Sequence, residues 1–263
     1  MSGSRVQGVE AERALWDRLR RRTQSRIGLG RAGDALDTAA VLALGAAHAV
    51  ARDAVHSAVD VDGLVAALAA LGFDGVQTVH SLAPDRSTYL RRPDLGRRVA
   101  DLDSLTPTGG DLGIVVCDGL SAAAIEKHAV PMVSALIAAL PTTVSVAAPV
   151  VASQARVALG DHFADRLGVD AVVVLIGERP GLSVADSLGA YLSYRPRPGM
   201  ADSERNCVSN IHPPDGLGYD RAAHVLVSLL AGARELGRSG VDLKDGSAET
   251  ITAAERVAQL EAG

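Results

Sequence analysis

Two glycine-bearing loops carry the residue types best suited to meet a ligand. CDGLS, Cys117 to Ser121, follows an apolar run: Asp118 and Gly119 turn the chain, Ser121 is placed to cap a helix running toward His128, and its amides are expected to face outward. GERPGLS, Gly177 to Ser183, allows close backbone approach at Gly177 and Gly181, is stiffened by Pro180, and sets Glu178 beside Arg179 as opposite charges. RRPDLGRR, residues 91–98, concentrates Arg91, Arg92, Arg97 and Arg98 in a Pro/Gly-punctuated loop. Such a cluster suits an anionic ligand or an acidic partner surface, and a solvated charged face equally well. Arg156 is open to the same readings.

Other motifs say less. Residues 28–33, GLGRAG, fit G-x-G-x-x-G, and Asp53 lies twenty residues beyond Gly33, the spacing of a dinucleotide fingerprint. Polar RRRTQSRI stands where that fingerprint needs a buried strand, so a glycine-rich turn joining two helices is expected instead. Of the seven histidines, His48 and His56 fall on a helical stretch, His80 ends a strand and His212 follows a turn-like SN pair; none shares i,i+4 spacing with another plausible ligand. Ser121 is not in G-x-S-x-G. Cys117 and Cys207 form neither C-x-x-C nor a Cys/His ligand spacing, so no metal site is expected and a reducing compartment is. Cys117, inside an apolar run, reads as core, whereas Cys207, near Asn206 and Ser209 and after ADSER, reads as a surface or ligand mouth. The pass yields two binding loops and no self-contained catalytic set.

The elements that must position these loops alternate along the chain. Residues 10–57 read helical, with Leu15 and Leu19 at i,i+4 and an Ala/Leu-rich stretch from Thr38 to Val55. From Asp60 onward a short apolar helix gives way to VQTVHS (76–81), and further apolar runs follow at GIVVC (113–117), TVSVAAPVV (143–151) and AVVVLI (171–176). Continuous apolar runs suit parallel strands buried on both faces. YLSY (191–194) and residues 207–211 add edge or return strands, and Asp220 to Leu236 closes with an amphipathic helix. The expected class is α/β: a doubly wound, mostly parallel, Rossmann-like sheet at 59–263 after a helical N-terminal unit at 1–58. Such sheets bind ligands at loops beyond the C-terminal ends of their strands.

Composition narrows the partners. The 263 residues are 48% hydrophobic but only 3% aromatic, and the formal net charge is −5, which argues against nucleic acid or anionic membrane as a bulk-charge partner. Lys127 and Lys244 are the only lysines, so nearly every cation is an arginine. No apolar run reaches about 18 residues, so no membrane span is expected. Met1 to Trp16 holds no apolar h-region, so no secretory signal is expected, and residues 246–263 read as an Ala/Glu-rich helical tail.

Six segments, in order, resemble one family, the small (light) subunit of ethanolamine ammonia-lyase: TQSRIGLGRAG (23–33), HAVARDAVH (48–56), DRSTYLRRPDLGRR (85–98), CDGLSAAAIEKHAVP (117–131), LIGERPGLSVADSLGAY (175–191) and RNCVSNIHPPDGLGYDRAAH (205–224). The resemblance implies an adenosylcobalamin-dependent radical lyase that converts ethanolamine to acetaldehyde and ammonia. It also implies a large partner subunit carrying the substrate and the catalytic residues, pairs joined into a higher oligomer, and a small subunit that covers the cobalamin and is not catalytic alone. Carried over by motif, the cobalamin contacts are Val157 of ARVALGD, Glu178 of GERPG and Cys207 of RNCVSNIH. A cytoplasmic setting follows, free or within a bacterial microcompartment. The start is shorter than the leader some members carry. No D-x-H-x-x-G occurs and no histidine has Asp two residues earlier, so base-on binding is expected. Two other readings stand beside this one: an NAD-dependent oxidoreductase built on GLGRAG, and an assembly subunit that binds no small molecule.

Overall fold

The computed structural model describes residues 11–12 and 14–247. A first helix, α1, occupies 14–20. The glycine-rich segment after it is not a simple turn between helices. Gly33, at φ +66°, and Asp34 reverse the chain between β1 (Arg31–Ala32) and β2 (Ala35–Leu36), an exposed antiparallel hairpin separate from the main sheet. Only glycine takes that left-handed conformation without strain. The dinucleotide reading fails here, because GLGRAG leads into this hairpin and, among the described residues, no buried parallel strand precedes it.

Helix α2 (Thr38–His56) starts where the Asp37 carboxylate accepts from Ala40 N–H. Helix α3 (Val61–Ala69) starts from Asp60 in the same way. There follow β3 (Gln77–His80), α4 (Arg86–Arg91), β4 (Gly110–Cys117), α5 (Ala122–Ala139), β5 (Val150–Ser153), α6 (Phe163–Leu167), β6 (Val169–Gly177), β7 (Leu188–Tyr194), β8 (Asn206–Ile211) and α7 (Tyr219–Leu236). Ser121 caps α5, its hydroxyl accepting from Ala124 N–H at 3.2 Å.

The main sheet has the order β3-β5-β4-β6-β7-β8; the first four strands are parallel, and β7 and β8 run antiparallel. Alternate residues of β4 and β6 enter different cores. Ile114, Val116, Val173 and Leu175 pack with α3, α5 and α7, while Val115, Cys117, Val172 and Val174 pack with Leu159, Phe163 and Leu167 on the opposite face. Both faces are covered, which is why these strands read as unbroken apolar runs. The fold is the doubly wound α/β class.

One strand starts well inside its expected range. Pro149 has no N–H to give to a ladder, so the strand expected across 143–151 starts only at Val150 and runs to Ser153. By length and mean hydropathy alone, α2 (1.2) and α5 (1.3) reach a range that core helices of globular proteins also reach, which does not make either a membrane span. Helix α5 buries eight of its residues in the core, whereas α2 buries Ala54 alone. The expected tail lies, from residue 248 on, outside the described residues.

Candidate functional site

Because β4 lies between β5 and β6, the chain leaves it in one direction and returns in the other, and a crevice opens beyond the C-terminal ends of these strands. Asp118, just past β4, turns inward. Its carboxylate accepts from Gln154 and Ala155 N–H, each at 2.9 Å, and from Arg86 Nη1 at 3.4 Å. Burial pushes the Asp118 carboxyl above its ordinary range, against the lowering pull of those donors. Nor does the loop present all its amides outward: Leu120 N–H donates to Gly177 O at 2.9 Å. Gly119, at φ +58°, lies so close to Gly177 that any side chain there would collide with the Gly177 carbonyl. The two loops singled out in the sequence are thus fastened to each other.

Arg86 ties a third segment to this point. Nη1 donates to Gly119 O at 2.8 Å, and Nε donates to Val55 O, in the last turn of α2, at 2.6 Å. The buried ring of Tyr89 carries the guanidinium of Arg86 at 4.9 Å and that of Arg156 at 4.4 Å, and its hydroxyl donates to Ala155 O at 3.0 Å. Burial raises the Tyr89 phenol well above its ordinary range, so the hydroxyl keeps its proton.

Around this frame lies a cavity of 580 Å³. Val157 enters it at the start of the 3-10 turn that follows β5, and Glu178 enters it directly after β6. One Glu178 oxygen, Oε2, accepts from the Ser187 hydroxyl and from Asn210 N–H at 3.4 Å. Cys207 does not line the cavity. It is exposed on the edge strand β8, directly opposite Tyr191 of β7, which does line it. Burial pushes the Cys207 thiol up, the neighbouring phenol opposing it, and Tyr191 is likewise raised by burial first and by Cys207 second. Both groups stay neutral near pH 7.

The arginine loop divides. Arg92 pairs with Asp94, Arg91 bends back to Ser87 O at 3.2 Å, and Arg98 is exposed, so these three are solvated charges. Arg97 alone of the four lines the cavity, together with Arg156 and Arg179. His128 is buried against the Tyr219 hydroxyl at 2.7 Å, and burial lowers its pKa. His48 and His56 are exposed on α2. Among the described residues no group of three or more His, Cys, Asp or Glu is placed to hold a metal ion.

Sequence reasoning missed both cavity tyrosines. A usable signal existed for one: in a chain with four tyrosines, Tyr89 stands three residues from Arg86 and three from Arg92, the spacing that stacks a guanidinium on a ring.

A doubly wound sheet with an arginine-bordered cavity beyond its parallel strands defines an α/β protein whose crevice lies where such sheets hold ligands. Comparison with known proteins gives the family. Residues 13–244 match the family described as ethanolamine ammonia-lyase light chain, and the chain belongs to it. The chain is 53% identical over 247 residues to the ethanolamine ammonia-lyase small subunit of Rhodococcus erythropolis, covering 94% of this chain and 96% of the relative. It is 48% identical to the small subunit from Azotobacter vinelandii over 239 residues, 88% of each chain. Against the Pseudomonas syringae pv. tomato small subunit the identity is 47% over 249 residues, 91% of this chain and 86% of the relative.

Proposed function

We propose that this chain is the cofactor-covering subunit of an adenosylcobalamin-dependent ethanolamine ammonia-lyase, assembled with a large subunit that carries the substrate and the catalytic residues. The observation that carries the reading is convergence: Val157 and Glu178, from the ends of two different strands, meet in one cavity, and Cys207 is joined to its wall through Tyr191. A 580 Å³ cavity is smaller than a cobalamin, which supports a cofactor shared between two chains rather than enclosed by one.

The residues present fit the group. The corrin periphery carries amides, which donate to a carboxylate such as Glu178; Ser187 and Asn210 hold that carboxylate in place through one oxygen. Val157 offers apolar contact, and Cys207 a small polarizable surface at the rim. When bound, adenosylcobalamin supplies the radical chemistry. This chain orients the corrin and excludes water from it. No histidine lines the cavity, and no D-x-H-x-x-G is present, which supports base-on binding. An electron paramagnetic resonance spectrum of the cob(II)alamin state is expected to lack coupling to a protein imidazole nitrogen; its appearance contradicts base-on binding.

Helix α2 supports the partner reading. Val41, Leu42 and Val50 are 53%, 68% and 57% exposed on a helix with one buried residue, and the last turns of α2 line a second cavity, of 520 Å³, shared with the 183–186 loop. An apolar surface continuous with the ligand end of the sheet suits the large subunit as its cover. The setting is the cytoplasm, free or in a microcompartment, and the complex is a higher oligomer of large and small pairs.

The test is Glu178→Gln in the reconstituted two-subunit complex. Cobalamin retention weakens about tenfold, the scale of one hydrogen bond to a charged group, while turnover at saturating cofactor changes little. Unchanged retention removes Glu178 from the site.

A further inference from the structure

The cavity is cationic within an anionic protein. Four lining arginines, Arg97, Arg156, Arg179 and Arg205, face two lining carboxylates, Glu178 and Asp202, a surplus of two positive charges in a chain whose formal net charge is −5. These arginines are not equivalent. Arg205 is buried and neutralised by Asp161, with Asp202 at 3.4 Å. Arg97 has Asp202 at 4.0 Å and is largely exposed. Arg156 and Arg179 form no ion pair among the described residues.

Arg156 differs from Arg179 in being built in. Its backbone N–H donates to Gly96 O at 2.8 Å, its guanidinium rests on the Tyr89 ring at 4.4 Å, and its Nε is buried with no hydrogen-bond partner. A buried donor left without an acceptor is costly, and a planar guanidinium held by an aromatic face keeps its fork oriented at little further entropic cost. The terminal nitrogens of Arg156 form no ion pair or hydrogen bond among the described residues, and a guanidinium so fixed in the wall of a cavity suits an anion that matches its fork. Cobalamin carries one such group, the phosphodiester that joins the corrin to its nucleotide; its other peripheral groups are neutral amides. On the reading that a corrinoid occupies this cavity, we infer that Arg156 is the docking residue for that phosphodiester, with Arg97, which lines the same cavity next to Gly96, a second donor. Glu178 engages the corrin amides, so the two residues divide the cofactor between its ring and its tail.

The experiment measures corrinoid affinity in the reconstituted complex by equilibrium dialysis read out in visible absorption. Three ligands separate the contributions: cobinamide, which lacks the phosphate; cobinamide phosphate, which has it; and cobalamin. The wild-type complex favours cobinamide phosphate over cobinamide. In Arg156→Gln that preference disappears, cobalamin binds about 10-fold to 100-fold more weakly, and cobinamide binds as before. Arg156→Lys keeps part of the preference, because charge remains while the fork is lost. Raising ionic strength weakens cobalamin binding in the wild type and in Glu178→Gln, and much less in Arg156→Gln. Equal weakening of cobinamide and cobinamide phosphate by Arg156→Gln overturns the inference, since a collapsed wall or a corrin contact would do that. Weakening by Glu178→Gln with none by Arg156→Gln overturns it while leaving the cofactor reading intact. If neither variant changes the affinity of any corrinoid, the cofactor reading of the cavity falls first, and the assignment of Arg156 falls with it.

Discussion

The central sheet and helix α2 answer to water in opposite ways. Strands β4 and β6 send alternate side chains into two cores and leave almost nothing apolar in solvent, whereas α2, close to the core helix α5 in mean hydropathy, buries only Ala54. The sheet satisfies itself; on the reading proposed above, the large subunit covers the helix. On that reading the contrast separates the part of the molecule that holds shape from the part proposed to serve assembly.

Truncation tests that division most directly. Phe163→Ala, at a fully buried ring, is expected to cost the isolated chain about 3–5 kcal/mol in chemical denaturation, while Leu42→Ala on α2 stays within about 0.5 kcal/mol. A comparable loss at Leu42 would mean that α2 already packs within the free chain. In the presence of the large subunit the order changes: Leu42→Asp is expected to lower co-assembly, read by size-exclusion chromatography, without shifting the melting temperature of the free chain. Full co-assembly of that variant breaks the proposed link between α2 and the partner.

A finer comparison lies within β4. Asp111, near its N-terminal end, is held below its ordinary value of 3.8 chiefly by Ser145, with Arg234 adding to the effect, so its contribution is present above that value and fades as pH falls through its lowered pKa. Asp118, past the C-terminal end, is raised from 3.8 by burial, so its contribution is fully present below that value and is lost as pH rises through its raised pKa. Denaturation midpoints as a function of pH should therefore diverge. The stability gap between wild type and Asp111→Asn shrinks on acidification, and the gap between wild type and Asp118→Asn grows. Parallel pH profiles for the two variants would show that the buried and exposed ends of the strand are electrostatically alike. Asp111 is expected to give the smallest effect of the set, because its side chain is about one-third exposed.

How much of this the sequence announces depends on the range of the interactions involved. The apolar runs of β4 and β6 are legible because burial on both faces leaves a local signature. The late start of β5 turns on Pro149, whose missing donor matters only once a neighbouring strand is in place. The hairpin at Arg31–Leu36 escapes periodicity because each strand has two exposed residues. At the candidate site, Glu178 stands out through its glycine-flanked loop, Cys207 through its polar neighbours Asn206 and Ser209, and Val157 only through family resemblance. Tyr191 is invisible as a cavity residue, since its role depends on the register of β7 with β6 and β8. The inward turn of Asp118 is hidden as well, because its acceptor duty is owed to amides thirty-six and thirty-seven residues away.

Arg86 gives these regions a shared mechanical fate. A single guanidinium grips the final turn of α2 and, through Gly119 and Asp118, the floor of the ligand cavity. Trimming the chain back to its sheet would therefore do more than delete a sticky helix. It would release a cation beside the binding chamber, so a shortened variant made for easier handling is a poor stand-in for the whole subunit in any measurement of cofactor uptake.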